Sequence, residues 1–600
     1  MKIKLNWALF LLTASSYIFY PVWHLPLPRP AQWALLNLFI LLSAFALYSP
    51  LEEVSVDASL SELKGLWPVI FIAAALCLPF WLMPIPTGSD EQSHAGPAAW
   101  LLGKGASALG LDMRLLPLFF LPAAALAAAA AFKLFKKGIN LPGKKISIFS
   151  LAVAGNAFFF ASLRFGLAEA IGRFETVLRY PPLSKFLYLP AYLLFGVHEA
   201  VPRAVQFGFL LLAAVYILRV LKLFKIEPPV RLTFLLIVFF PTFFNLTTTA
   251  ELEAGTVFFF CAAIYHFMKA AATGDRKQFL KCAFWTAAGL FYKQLLLGLM
   301  LSFIPVLAAF WYIYPQRRSD WAYGLKTLAI PAAVGMPFIL LSAILKIRDA
   351  ALVYSNLIDP GLMLLDIKNI YQTAGAAITG LLVISVAAGI YRHKGRELAL
   401  LGYFAVTYYI MISATAAVGY IRHAQPFYIT LVILLALWAA ELARSRPAIK
   451  APLYTVLLTI LIFQSVLAEN PYQRRTLFNF KLYCFPYWEV SDYLKTYTSR
   501  LKVYAPMEVE PSHFYLAKAG LAGKIDWDRT YTPGFSAEKT ANACAAQRCD
   551  FMLLPYSPFD GIAHNFITTA DRLIASGKFR RDKIFNYGGN KLVLLKPCAE

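Results

Sequence analysis

Between two apolar runs the chain carries Pro86-Thr-Gly-Ser-Asp-Glu-Gln-Ser-His94, with Asp90 and Glu91 side by side and His94 one helical turn further on. Acids are scarce in this sequence: 33 Asp plus Glu among 600 residues, 59% of them hydrophobic. Two carboxylates at a membrane boundary cost free energy unless water, a cation or a substrate meets them. One of them set beside a hydroxyl can take its proton as a general base, and His94 at i+4 can orient Asp90. The same residues also suit a solvated loop that opens a short interfacial helix, with Ser89 or Asp90 as its N-cap. A second acidic pair, Glu251 and Glu253, stands between two further apolar runs. Alternate residues point apart on a helix, so at most one of these two faces a cavity.

The elements that must position these acids are membrane helices. A mean hydropathy of +0.60, 15% charged residues and repeated apolar runs near twenty residues describe a polytopic membrane protein. Such runs lack the alternation of a β-barrel and must satisfy their backbone internally, so they are helices. About fifteen spans follow between residues 5 and 468, among them runs at 115–133 and 147–166. The net charge of +23 does not point to nucleic acid. Its Lys and Arg cluster in short loops such as Lys133–Lys145, Lys269–Lys281 and Arg444–Lys450, the pattern of cytoplasmic loops. A basic face for a phosphate backbone would need a soluble surface to carry it. The N-terminal Met-Lys-Ile-Lys and the apolar run behind it read as an uncleaved first helix, with the N-terminus inside and the C-terminal segment outside.

One apolar stretch breaks the alternation. The segment from Arg179 to Gly196 is rich in Tyr, contains Lys185 and has Pro190 near its middle. If it crossed the bilayer, every later basic loop would change sides. It is therefore expected as an interfacial or re-entrant helix, starting after Pro182 and stopping at Gly196, with Tyr180, Tyr188 and Tyr192 at headgroup level. The long loop Lys346–Tyr371, with Arg348, Asp349, Asp359 and Asp366, either covers a site or simply connects. From about residue 470 the long apolar runs stop and strands alternate with helices, which predicts a small α/β domain. Cys484, Cys544, Cys549 and Cys598 all fall there and permit two disulfides with three connectivities. Cys77, Cys261 and Cys282 lie in apolar runs and read as packing residues. The fold expected is thus a mostly α, polytopic helix bundle with a C-terminal α/β domain outside the cytoplasm. Its divisions are 1–84 (N-terminal spans), 85–468 (main transmembrane region, external loops 85–114 and 167–202) and 469–600 (soluble).

Tyr180-Pro-Pro-Leu183, the helix after it, Phe195-Gly196 and Arg203 resemble the "PPL…LFG…R" segment of GT-C glycosyltransferases, in the protein O-mannosyltransferase and aminoarabinose transferase group. Thr249-Ala-Glu-Leu-Glu-Ala-Gly-Thr-Val-Phe-Phe259 is similar to the group's acidic stretch, with Glu253 in the acidic position and Glu251 left to water. Gly289-Leu-Phe-Tyr-Lys293 resembles its "G…l…tK" span, and Gly419-Tyr-Ile-Arg-His-Ala-Gln-Pro426 its late "RY…P" turn. Ser89-Asp-Glu-Gln-Ser-His94 with Trp100-Leu-Leu-Gly103 looks like its first-loop "DE…H…l…G" motif. There is one departure. In the family the acidic motif and Pro-Pro-Leu share an external loop, whereas two apolar runs separate them here. Either a hairpin is inserted and Asp90 is the working acid, or the acid is Glu175 in Glu169-Ala-Ile-Gly-Arg-Phe-Glu175.

The resemblance implies a membrane glycosyltransferase. A sugar on a polyprenyl phosphate would pass to an acceptor lipid, glycan or protein on the outer face of the cytoplasmic membrane. Asp90 would take the acceptor's proton, and Glu91 would hold the sugar or tune Asp90 by like-charge proximity. Arg179, Arg203, Lys293 and Arg422 would face the departing lipid phosphate, Arg as a planar fork and Lys as a point charge. Lys293 equally suits a snorkelling lysine, Arg179 and Lys185 suit headgroups, and His94 and His423 suit hydrogen-bonded structural roles. No cofactor and no dedicated metal site are expected, although Asp90, Glu91 and Glu253 could gather around a divalent cation. Two other classes remain: a lipid or polysaccharide transporter or flippase, which calls for inverted repeats and spans broken at the midplane, and a non-catalytic subunit of an envelope-assembly complex.

Overall fold

The computed structural model describes residues 22–23, 25–48, 65–85, 90–108, 110–118, 120, 122, 152–153, 155–157, 159–164, 183–223, 230–293, 296–344, 375–385, 396–415, 425–467, 484–505, 510–528, 537–546, 548–556 and 561–598. The membrane part contains α1 (Arg29–Tyr48), α2 (Trp67–Trp81), α3 (Asp90–Ala108), α4 (Leu183–Phe195), α5 (Ala200–Leu223), α6 (Val230–Phe239), α7 (Pro241–Thr248), α8 (Glu253–Thr273) and α9 (Lys277–Tyr292). It continues through α10 (Leu297–Ile313), α11 (Arg318–Ile344), α12 (Arg396–Thr415), α13 (Gln425–Ser445) and α14 (Lys450–Ile462). Among the described residues, α5, α8, α13 and the segment Pro447–Leu467 are each long and apolar enough to cross a bilayer. Two bent pairs would add to them: α6 with α7, turning by 74°, and Gly298–Ile313 with Pro315–Ala332, turning by 118°. The first bend falls at Pro241, whose missing N–H and fixed φ suit the first position of a new helix rather than the interior of an old one.

Helix α4 runs where the Pro-Pro-Leu pattern placed an interfacial helix. It ends at Gly196, whose φ of +79° is open to glycine at low cost. Its tyrosines do not sit among headgroups. Tyr188 and Tyr192 are both buried, because each phenol has a backbone partner: Tyr188 donates to the Ala250 carbonyl at 3.1 Å, and Tyr192 to the Ala95 carbonyl at 3.3 Å. Tyr180 and the loop Lys346–Tyr371 lie outside the described residues.

The C-terminal unit comprises α15 (Tyr487–Leu494), β1 (Leu501–Tyr504), α16 (Glu510–Lys518), β2 (Ile525–Asp528), α17 (Ala537–Ala546), β3 (Phe551–Tyr556), α18 (Gly561–Ala575), β4 (Phe579–Tyr587) and β5 (Asn590–Pro597). The sheet order is β2-β1-β3-β5-β4. Strands β2, β1 and β3 are parallel, joined through helices; β5 and β4 are antiparallel and close through the Gly588–Gly589 turn, both glycines at positive φ. Cys544 and Cys549 form a disulfide, in which neither Cys484 nor Cys598 takes part; the Cys484 thiol donates to the Pro84 carbonyl at 3.7 Å. The Asn590 side chain donates to the Cys484 carbonyl at 3.0 Å, while Cys598 follows the far end of β5. A strand of that length spans about 26 Å, well beyond the reach of a disulfide. The second bridge allowed by the cysteine count is thus ruled out by geometry.

Two hydrophobic cores hold the molecule together. One fills the helical bundle. The other belongs to the sheet and takes in residues of α3 and α4, including Trp100, Tyr188 and Tyr192. Helix α3 lies so close to the C-terminal unit that a Cβ on Gly103 would stand 2.6 Å from that of Ala522. Trp100 packs on His513 with ring centroids 4.7 Å apart. Tyr515 accepts the Ile85 N–H at 3.0 Å. Burial above all, with Glu199 adding to it, pushes that phenol well above its ordinary range and keeps it neutral.

Candidate active site

The site is built on the interruption between α7 and α8. Thr247, Thr248 and Thr249 each hydrogen-bond back to a carbonyl of Phe244 or Asn245, at 2.7, 3.1 and 2.9 Å, competing with the helix ladder. Thr249 is extended (φ −123°, ψ 159°), and α8 starts again at Glu253. Non-helical backbone inside a membrane bundle must find partners in the protein. Ala250 finds two: its N–H donates to Glu91 Oε1 at 3.1 Å, and its carbonyl accepts from Tyr188. The first-loop acidic motif and the Pro-Pro-Leu helix, far apart in sequence, thus meet on one residue.

Glu91 is held in turn by Arg203. The Arg203 Nε lies 2.5 Å from Glu91 Oε1, with both side chains at 0% exposure. Nη1 donates to the carbonyls of Phe80, Trp81 and Met83 at 2.8, 2.9 and 2.5 Å, and Nη2 reaches the Pro84 carbonyl at 3.4 Å. Those carbonyls include the last two of α2, at the end of a helix where a cation is favoured. Arg203 directs its donors at Glu91 and at the end of α2. Glu91 is buried against Arg203 and Ala250.

Three residues beyond Ala250, Glu253 is buried and paired with Lys293 through Oε1 and Nζ. Lys293 is the residue at which α9 stops, with extended backbone (φ −152°, ψ 128°) and its N–H still donating to the Gly289 carbonyl at 2.8 Å. It is 4% exposed, so it does not snorkel to a surface. Beside the pair, the Gln206 side-chain amide donates to Tyr188 Oη at 2.6 Å and Tyr292 Oη at 3.1 Å. Tyr292 can lie there because residue 255 is glycine: a Cβ would come within 2.2 Å of Tyr292 Cζ. Gln206 was not singled out in the sequence. Its signal was its spacing of three from Arg203, which puts both on one face of α5.

The other expected residues divide as follows. Asp90 opens α3, and its side chain lies outside the described residues. Glu175, Arg179, Arg422 and His423 lie outside them entirely. His94 is buried on α3. Glu251, expected in water, is 8% exposed, because the interruption that carries it is enclosed on both sides. Among the described residues no group of three or more His, Cys, Asp or Glu side chains is arranged for a metal ion.

The helical bundle thus buries two acid–cation pairs close to the interruption before α8, with the C-terminal α/β unit packed against α3. Residues 179–340 match the family described as dolichyl-phosphate-mannose-protein mannosyltransferase. That stretch holds α4, Arg203, Glu253 and Lys293; Asp90 and Glu91 precede it. Two crystal structures of ArnT from Cupriavidus metallidurans are similar across the chain. The one bound to undecaprenyl phosphate has a TM-score of 0.52 at 12% identity, covering 88% of this chain and 98% of that one. The apo structure has a TM-score of 0.51 at 12% identity, covering 88% and 97%. No curated protein matches the chain by sequence. The resemblance to the mannosyltransferase and aminoarabinose transferase group is thus found by both family and fold.

Proposed function

We propose that this chain is a membrane glycosyltransferase that moves a sugar from a polyprenyl-phosphate-linked donor onto an acceptor on the outer face of the cytoplasmic membrane. The observation that carries this reading is the buried Glu253–Lys293 pair, formed where α8 begins and α9 ends, inside the stretch that matches the mannosyltransferase family. The ArnT structure with undecaprenyl phosphate supports the donor class. In the step as proposed, the acceptor oxygen forms a bond to the anomeric carbon while the bond from that carbon to the phosphate oxygen breaks. The phosphate leaves with the electron pair, and the acceptor's proton passes to a carboxylate. Asp90 is the acid assigned to that proton, with Glu175 as the alternative. Lys293 is the described cation best placed to meet the phosphate, which would compete with Glu253 for the same ammonium. Arg179, Arg203 and Arg422 keep that role as proposals, Arg203 being the one whose donors already meet Glu91 and the end of α2. The transfer as written needs no cofactor.

The catalytic region is proposed to span residues 85–468, with 469–600 as an exported unit held over it. Asp90→Asn and Glu175→Gln, each assayed for transfer from a radiolabelled polyprenyl-phosphate sugar, test the assignment. Loss in the first with retention in the second assigns the proton to Asp90. The reverse result moves it to Glu175, and full activity in both removes the mechanism.

A further inference from the structure

Helix α4 serves the acid cluster through Tyr188, and its other end opens a second space. Phe195, Gly196, Val197 and His198, with Met113, Pro117 and Lys518, line an open cavity of about 450 Å³. Tyr188 and Phe195 are seven residues apart, about 10 Å along a helix, so this cavity is separate from the Glu253–Lys293 pair. Its walls differ in character. Met113 and Pro117 belong to a stretch whose neighbours Leu115, Leu118 and Phe120 are exposed, Leu118 by 69%. Phe195, on the opposite wall, is 62% exposed. Large apolar side chains this exposed on a membrane protein belong against lipid chains. Lys518 comes from α16 of the C-terminal unit and is tied to Glu199 by contacts of 2.8 and 2.7 Å. The cavity therefore lies where the lipid-facing surface meets the soluble unit.

The polar groups on its wall suit an acceptor-only ligand. An ammonium has three donors; two of those of Lys518 meet Glu199, which leaves a third, and the His198 imidazole supplies another. Phosphodiester oxygens accept from both. We propose that this cavity binds the phosphate-bearing headgroup of a membrane glycerophospholipid, with the acyl chains lying on Leu115, Leu118, Phe120 and Phe195. The lipid would thereby join the bundle, helix α4 and the C-terminal unit at one point.

The test uses the full-length protein in neutral detergent and counts retained lipid by native mass spectrometry. Phosphatidylglycerol is compared with diacylglycerol of the same chains, which lacks the phosphate. The unaltered protein is expected to prefer phosphatidylglycerol by about tenfold, the worth of a charge-assisted hydrogen bond. Lys518→Gln removes a donor, and Val197→Trp fills the cavity without touching charge; both are expected to abolish the preference. Retention unchanged in Val197→Trp overturns the site even if Lys518→Gln fails to fold. Equal retention of diacylglycerol reduces it to a greasy surface. Polyprenyl phosphate binding there more tightly than phosphatidylglycerol assigns the cavity to the carrier instead, which also overturns the proposal.

Discussion

Glu91 and Arg203 form a fully buried ion pair whose carboxylate oxygen also accepts the Ala250 N–H. Through it the end of α2, the start of α3, helix α5 and the interruption before α8 are fixed to one another. Burying such a pair is weak evidence for stability, because desolvation offsets much of the attraction, yet removing one partner leaves the other charged and unmatched. Glu91→Gln is therefore expected to destabilise the protein by about 3 kcal/mol. Arg203→Lys is expected to cost nearly as much, since an ammonium cannot reach Glu91 and four carbonyls together. Unfolding of purified protein by denaturant checks both. Stability unchanged in Glu91→Gln would mean that the pair is not desolvated as described.

Glu253 and Lys293 should separate in kinetics rather than in stability. If Lys293 meets the lipid phosphate, Lys293→Gln raises KM for the donor more than it lowers kcat, because it removes a contact made already in the bound state. If Glu253 holds Lys293 in place until the phosphate arrives, Glu253→Gln lowers kcat/KM by a smaller factor, on the order of tenfold. Steady-state transfer with varied donor concentration separates these outcomes. Unchanged donor dependence in Lys293→Gln would remove the cation from the site.

The residues of this site could be read from the sequence better than their partners could. Motif order pointed to Glu91, Arg203, Glu253 and Lys293, and periodicity placed α4 and its stop at Gly196. That Arg203 caps α2 and grips Glu91 was not legible, because it depends on where five donors point after the chain has folded. The same holds for Tyr188 and Tyr192: a Tyr-rich helix suits a headgroup layer until the C-terminal unit packs against it. In the C-terminal unit the alternation of strands with helices showed in the pattern, whereas α16 and β2 did not stand out singly. Helix α16 is short, and β2 has four residues with a charge in the middle, so neither carries a clear period.

Close backbone approach sets the contact between α3 and the C-terminal unit. A Cβ on Gly103 would fall 2.6 Å from Ala522 Cβ, and neither is the end of a flexible side chain, so backbone must move. Gly103→Val is expected to cost about 1–3 kcal/mol through overpacking and to release the unit from the bundle. Limited proteolysis of the C-terminal unit should then speed up without loss of the disulfide between Cys544 and Cys549. A cleavage rate equal to the parent's would show that the contact is not tight.

The cysteines of the C-terminal unit offer a direct chemical readout. Cys544 and Cys549 are bonded, Cys484 is buried, and Cys598 is partly exposed. A membrane-impermeant maleimide applied to the folded protein is expected to label Cys598 and to leave Cys484 unmodified until denaturation. Mass analysis of the labelled C-terminal peptides reads this out. Labelling of Cys484 in the folded state would contradict the packing of Asn590 and Pro84 against it.

Electrostatics at the same joint gives a pH dependence with a definite sign. Asp526 on β2 meets Arg500 at 2.9 Å and Lys104 of α3 at 3.5 Å. Partial burial raises its carboxyl, but the Arg500 hydrogen bond and the Lys104 charge outweigh that and hold it below the usual range. A depressed carboxylate contributes stability above its unfolded pKa of about 3.9 and loses it as pH falls through the lower folded value. The Asp526 side chain is 42% exposed, so water and salt screen the contribution to well under about 1 kcal/mol. Asp526→Asn is expected to raise hydrogen exchange along α3 by about twofold at pH 7 in low salt. The difference from the parent should shrink at high salt and close as the parent's own carboxylate is protonated. A difference that persists in strong salt would assign the effect to packing rather than to charge.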